Sequence, residues 1–168
     1  VWDLCHNLTQ LGHRVIAFLP RCGIPRENLS FRVVEIPFFD LPLLRPLSFR
    51  VVLILKLLQY GLRYRADVVY VRRMGSLIPM LFSKLRRSIF LFEVNDDPYL
   101  RIYKEGSRLL FAMRSYSSFK SDEINLRACD KALVITREIA EKIHKSNVHI
   151  PGEKLSILPG GANVSLFR

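Results

Sequence analysis

The residues able to do chemistry in this sequence gather where apolar runs end. Arg72 and Arg73 close the run over residues 68–71 and are followed by Met74 and Gly75. Two guanidinium groups beside a flexible residue suit the holding of a phosphate or carboxylate; a solvated basic loop is the competing reading. Glu93-Val94-Asn95-Asp96-Asp97-Pro98 ends the next apolar run. A sugar hydroxyl needs both a donor and an acceptor, and Asn95 offers both, with Glu93 and Asp96 as further acceptors. Metal binding is the weaker reading there, because carboxylates ahead of Pro98 serve equally as a turn and helix cap, and no metal site is assigned. Thr136 stands where it can cap a following helix, with Glu138 and Glu141 complementing the helix dipole. Pro159-Gly160-Gly161-Ala162-Asn163 places paired glycines where a backbone can approach a ligand closely, or where the chain makes a simple tight turn.

Other chemistries find no support. His6, His13, His144 and His149 are scattered, without a Ser, Cys or carboxylate at triad spacing, so no residue is assigned as catalytic. Neither a Gly-x-Gly-x-x-Gly nor a Walker-type loop occurs. A nucleotide-sugar epimerase would need a Tyr-x-x-x-Lys base, a spacing that Tyr99, Tyr103 and Lys104 do not give. Cys5, Cys22 and Cys129 lack zinc-ligand spacing, and a reduced, cytosolic setting is the default expectation.

Positioning these groups takes a sheet. The periodicity predicts helices over residues 1–11, 48–64, 77–85, 107–128 and 137–145, and strands over 14–19, 31–36, 68–71, 89–94, 132–135 and 155–158. Gly12 falls where a helix C-terminal cap is expected. After Ala66 the strand runs are nearly continuously apolar rather than alternating, the pattern of strands covered on both faces in parallel sheets. Strict β/α alternation predicts a doubly wound, mostly parallel Rossmann-like α/β sheet whose ligands collect beyond the carboxyl ends of the strands. The first helix has no strand to cross over from, so the expectation is a single domain over residues 1–168, truncated at both ends and lacking its first strand.

A chain of 168 residues with 49% hydrophobic and 24% charged residues can bury a core without a cofactor or disulfides. Its formal charge of +11 attracts phosphate-bearing partners, unless it serves solubility alone. The longest apolar stretch, residues 51–60, is too short to cross a bilayer. Around it, Phe38 and Phe39 stand with Arg45, Arg50, Lys56 and Arg63. Aromatic groups beside cations suit a membrane interface; a core helix with a basic outer face is the equal alternative.

Taken in order, several segments resemble the N-terminal domain of glycosyltransferase family 4, whose members have the GT-B fold. Leu8-Thr9-Gln10-Leu11-Gly12-His13-Arg14-Val15 is similar to the first helix and its turn, and Ala66-Asp67-Val68-Val69-Tyr70-Val71-Arg72 to the "D-V-V-Y-x-R" strand. Glu93-Val94-Asn95 resembles the "E-V-N" strand end, Cys129-Asp130-Lys131-Ala132-Leu133-Val134-Ile135-Thr136 the "A-D-x-V-V-x-S" segment, and residues 154–163 with Phe167 the "K-I-x-V-I-P-N-G-V-D" segment. Many members carry a histidine at the position of Asn95 that helps hold the donor sugar, and here Gly160 replaces an Asn and Asn163 an Asp. The resemblance covers nearly the whole chain.

The resemblance implies the acceptor-side half of a retaining hexosyltransferase that uses a nucleoside-diphosphate sugar, with a lipid, polysaccharide or small molecule as acceptor. Arg72, Arg73, Glu93, Asn95, Asp96 and Thr136 would form the acceptor wall, and Gly160 and Gly161 would line the cleft. No cofactor is expected in this domain, and its partner would be a C-terminal donor-binding domain, without which the chain alone is expected to be inactive. The setting implied is cell-envelope polysaccharide biosynthesis in the cytoplasm, with peripheral association at the inner face of an anionic membrane left open and no nucleic acid expected. The alternative is a non-catalytic basic module binding anionic membrane or nucleic acid.

Overall fold

The computed structural model describes residues 2–21, 29–39, 41, 44–72, 76–95, 109–146, 148 and 150–158, with side chains in the long fourth helix described from residue 116 onward. In chain order the described elements are α1 (Trp2–Gln10), β1 (Ile16–Pro20), β2 (Arg32–Ile36), α2 (Leu44–Arg63), β3 (Val68–Arg72), α3 (Ile78–Arg86), β4 (Ile89–Val94), α4 (Leu109–Ala128), β5 (Lys131–Val134), α5 (Arg137–Lys145), a 3-10 turn (Gly152–Lys154) and β6 (Leu155–Ile157). All described strand pairings are parallel, β1 with β2 and β3-β4-β5-β6 in that order. This is the Rossmann-like α/β architecture that the alternating pattern predicts. The contacts gather into two compact units, Val1–Tyr64 and Arg65–Ala162.

In the first unit α1 ends on Gly12, whose φ of +88° is open to glycine without strain. The Gly12 N–H donates to Thr9 O and the His13 N–H to Leu8 O, closing the helix as a Schellman motif and turning the chain into β1. Cys5, Ala17 and Phe31 form a small core, with Trp2 against Phe31 at 5.4 Å between ring centroids. The helix predicted from residue 48 begins a turn earlier, at Leu44. Pro46 lies in its first turn, where a missing N–H costs nothing and the fixed φ is already helical. Leu53, Leu57 and Gly61 are the buried face of α2. Tyr60 meets the Phe18 ring edge-on at 5.5 Å and lies under the Arg32 guanidinium at 5.2 Å.

The second unit is built around β4. Phe90, Phe92 and Val94 alternate onto one face and are almost wholly excluded from water, together with Ala132 and Val134 of β5 and Ile143 of α5. Asp130, just ahead of β5, fixes the alignment of the two strands: its N–H donates to Phe90 O at 2.9 Å, and its Oδ2 accepts from the Phe90 N–H at 2.7 Å. Lys84 Nζ stands 3.7 Å from the other carboxylate oxygen. Helix α3 also ends in a Schellman arrangement, with the Arg87 N–H on Lys84 O and the Ser88 N–H on Ser83 O. Here the left-handed residue is Arg87, at φ 54°, the one non-glycine with positive φ among the described residues.

Two substitutions at these places should shift stability in opposite directions. Asp130→Ala leaves the Phe90 N–H without its carboxylate and is expected to lower unfolding free energy by about 1–3 kcal/mol. Arg87→Gly relieves the left-handed strain at a smaller entropic cost in the unfolded chain, for an expected net gain of up to about 1 kcal/mol. Urea unfolding followed by circular dichroism measures both; a neutral Asp130→Ala would mean that the clasp does not hold the strands.

Candidate functional site

The carboxyl ends of β3 and β4 lie side by side because their parallel register pairs Arg72 with Glu93. The register turns both side chains to the same face of the sheet, and Arg72 Nε reaches Glu93 Oε1 at 3.5 Å. The two ends of this pair live in different media: the Arg72 side chain is 48% exposed and that of Glu93 only 12%. Arg72 therefore keeps donors for another anion, whereas Glu93 is a carboxylate largely withdrawn from water.

Burial raises the pKa of Glu93 above the ordinary carboxylate value, and a hydrogen bond from the Asn95 side chain offsets part of that rise by favouring the charged form. Asn95 Oδ1 is buried and has no hydrogen-bond partner. The strand end thus holds an acceptor with raised proton affinity, an amide oriented by it, and an unused carbonyl oxygen. Such a set offers a hydroxyl two oxygen acceptors, with one amide N–H of Asn95 remaining as a donor.

Just ahead of α3 lies a polar contact that sequence reasoning misses. Asn125 of α4 is fully buried and donates from Nδ2 to Ser76 O at 3.1 Å, while Ser76 Oγ accepts the Ile78 N–H at 3.3 Å. Asn125 Oδ1 is also without a partner, and Asp122, one turn earlier, is 3% exposed. An i, i+3 pair of polar residues on one helix face is the only trace of this in the sequence.

Thr136 follows β5 at the same end of the sheet. Its Oγ1 accepts the Ile139 N–H at 3.2 Å, so the hydroxyl caps α5 and retains its proton for one further bond. Arg73, Asp96, Gly160 and Gly161 lie outside the described residues. The interfacial candidates belong to the first unit: Phe38 lies beneath the Arg45 guanidinium at 4.6 Å, Phe39 is exposed, and Arg50, Lys56 and Arg63 are carried by α2. Cys129 is buried and donates to Leu126 O, and burial pushes its thiol up to about 11, which leaves it an inert core group. His6 is engaged by Ser30 Oγ at 2.9 Å and by Gln10 Nε2 at 2.9 Å. Among the described residues no three His, Cys, Asp or Glu side chains gather as a metal would require.

A family model described as Glycosyltransferase Family 4 covers residues 1–166. No curated protein matches the chain.

The raised pKa of Glu93 has a definite sign in stability. Between the unfolded value, about 4.3, and its folded value, the native state binds more protons than the unfolded state, so stability falls as pH rises through that window. Glu93→Gln removes this loss. Denaturation of the variant and the parent from pH 4 to 7 (about the range of an ordinary and a raised carboxylate) is expected to show the variant gaining relative to the parent as pH rises. A constant difference would show that Glu93 titrates as an ordinary surface carboxylate.

Proposed function

The chain belongs to glycosyltransferase family 4, and from that membership we propose that it forms the acceptor-side domain of a retaining transferase that moves a hexose from a nucleoside-diphosphate sugar to an acceptor hydroxyl. The observation that carries the reading is the buried Glu93, held by Arg72 and Asn95 at the strand end where parallel sheets collect their ligands. Transfer with retention develops positive charge at the anomeric carbon and negative charge on the leaving diphosphate, both of which call for fixed dipoles in a water-poor cleft.

In this proposal Glu93 accepts the hydrogen bond of the incoming hydroxyl. Its largely buried position makes that bond stronger than it would be in water. Asn95, tied to Glu93 through its amide, presents its free Oδ1 to a second hydroxyl and so orients the acceptor. Arg72 neutralises Glu93 on one side and faces solvent on the other, where an anionic group of the substrate can lie. Asn125 holds the Ser76 carbonyl and thereby the start of α3, keeping the end of β3 in place. A donor-binding domain would supply the contacts to the nucleotide. Lipid, polysaccharide and small-molecule acceptors share the hydroxyl that this chemistry requires, and a cytoplasmic enzyme of cell-envelope polysaccharide synthesis fits it.

Kinetics of the transferase that carries this domain test the reading. Glu93→Gln removes a charge-assisted hydrogen bond to the acceptor and is expected to lower kcat/KM for the acceptor about 10- to 100-fold, with the KM for the nucleotide sugar unchanged. A loss confined to the donor KM would put Glu93 on the wrong side of the reaction. The anomeric configuration of the first product, read by NMR, checks the stereochemistry; an inverted product ends the claim of retention.

A further inference from the structure

The amino ends of β1 and β2 carry a cleft that the transferase chemistry does not use. Arg14, Val15, Ser30, Phe31, Arg32 and Tyr64 line it, with Ile16 beside them, around a volume of about 280 Å³. Parallel sheets collect substrates beyond the carboxyl ends of their strands. A cleft at the amino ends is therefore a separate place on the first unit.

Strand geometry brings its two cations together. Arg32 pairs with Ile16 in the β1–β2 register, and Arg14 stands two positions ahead of Ile16, so both arginines fall to one face of the sheet. On that face Tyr60 and Tyr64, four residues apart at the end of α2, stack with 5.9 Å between ring centroids. The Arg32 guanidinium lies over Tyr60 at 5.2 Å and that of Arg14 over Tyr64 at 6.0 Å. A guanidinium stacked by its face keeps its N–H donors directed outward in its own plane. Arg32 gives one of them, from Nη1 to the Tyr64 hydroxyl at 3.2 Å. That hydroxyl accepts, and its own proton is left to donate. Ser30 Oγ is held at the rim by His6 Nδ1 at 2.9 Å, and His6 in turn by Gln10.

No carboxylate answers these charges. Neither arginine enters an ion pair among the described residues, and the lining contains no Asp or Glu. Two guanidinium groups on one tyrosine pair repel each other until an anion lies between them. We propose that this cleft binds a small phosphate monoester, with Arg14, Arg32 and the Tyr64 hydroxyl donating to the phosphate oxygens and the organic part resting on Val15 and Ile16. A monoester is close to dianionic at neutral pH, which matches two guanidinium groups; the diester of a lipid headgroup carries a single charge. Size narrows the class further. Sites for drug-sized ligands run from about 300 to 1,000 Å³, so this cleft takes a compact ester and is too small for a nucleoside-diphosphate sugar. The site stands apart from the acceptor wall at Glu93, and neither depends on the other.

Amide NMR shifts of the isotope-labelled chain, titrated with glycerol phosphate and with glycerol as the neutral control, test for the site. Saturable shifts are expected at residues 14–16 and 30–32 with the phosphate and none with glycerol. Arg14→Gln and Arg32→Gln are each expected to weaken binding about tenfold or more, and Tyr64→Phe, which removes only the hydroxyl, about threefold to tenfold. Dimethyl phosphate, with the diester chemistry of a lipid headgroup, is expected to bind at least about tenfold more weakly. Both arginines are exposed, so the variants should fold, as unchanged shifts elsewhere in the chain check. Absent saturation, shifts confined to the strand ends at Arg72 and Glu93, arginine variants that bind as the parent does, or a diester bound as tightly as the monoester would each overturn the proposal.

Discussion

The second unit depends on keeping β4 out of water. Its neighbours β3 and β5 are parallel to it, and parallel neighbours require crossover connections that bring helices onto the sheet. Phe90, Phe92 and Val94 then meet α5 and the flanking strands as one dry layer. Alternation sends Glu93 to the other face, where it is buried too. The carboxylate is thus dry because of where the strand ends, and its unusual proton affinity stems from the same packing that holds the sheet. The Asp130 clasp matters for this reason, since it aligns β5 with β4 by two hydrogen bonds to a single residue.

Much of this was legible in the sequence wherever one local signal sufficed. The continuous apolar runs located β3, β4 and β5, and α5 occupies the predicted 137–145 because its apolar positions keep a clean helical period and Thr136 caps it. The early start of α2 was missed because Pro46 reads equally as a helix breaker and as a first-turn residue; only the packing of the helix beyond it decides between them. Long-range pairing has no local pattern to reveal it. Arg72 meets Glu93 through strand register, and Asn125 meets Ser76 across 49 positions of sequence. Helix α4 hid Asn125 further, because polar residues are spread around its circumference and no face announces itself as buried.

The polar groups at the strand ends work against stability. An unpaired buried carbonyl oxygen costs on the order of 1–3 kcal/mol, and Asn95 and Asn125 each have one. Glu93 adds the desolvation of its charge. Apolar residues at positions 93 and 95 would avoid these desolvation costs, so folding alone gives little reason for Glu93 and Asn95. Under the proposed function the account closes: an acceptor hydroxyl meets Glu93 and Asn95, and the groups left short in the free protein are satisfied in the complex. Asn125 differs, since its amide already holds the Ser76 carbonyl, and its spare oxygen is the lesser cost of that positioning.

Helix α2 poses the same question in apolar form. A helix that is apolar on most of its circumference is normally buried on every side. In α2 the leucines recur in two phases of the helical period: one phase is buried within the first unit, and the other is exposed. The inward phase docks the helix, with Tyr60 and Phe18 completing it, and among the described residues the outward phase stays exposed. Exposed leucine in water is unfavourable by the free energy its burial would release, roughly 1.5–3 kcal/mol per side chain. Whatever recovers that free energy lies outside the described residues of this unit.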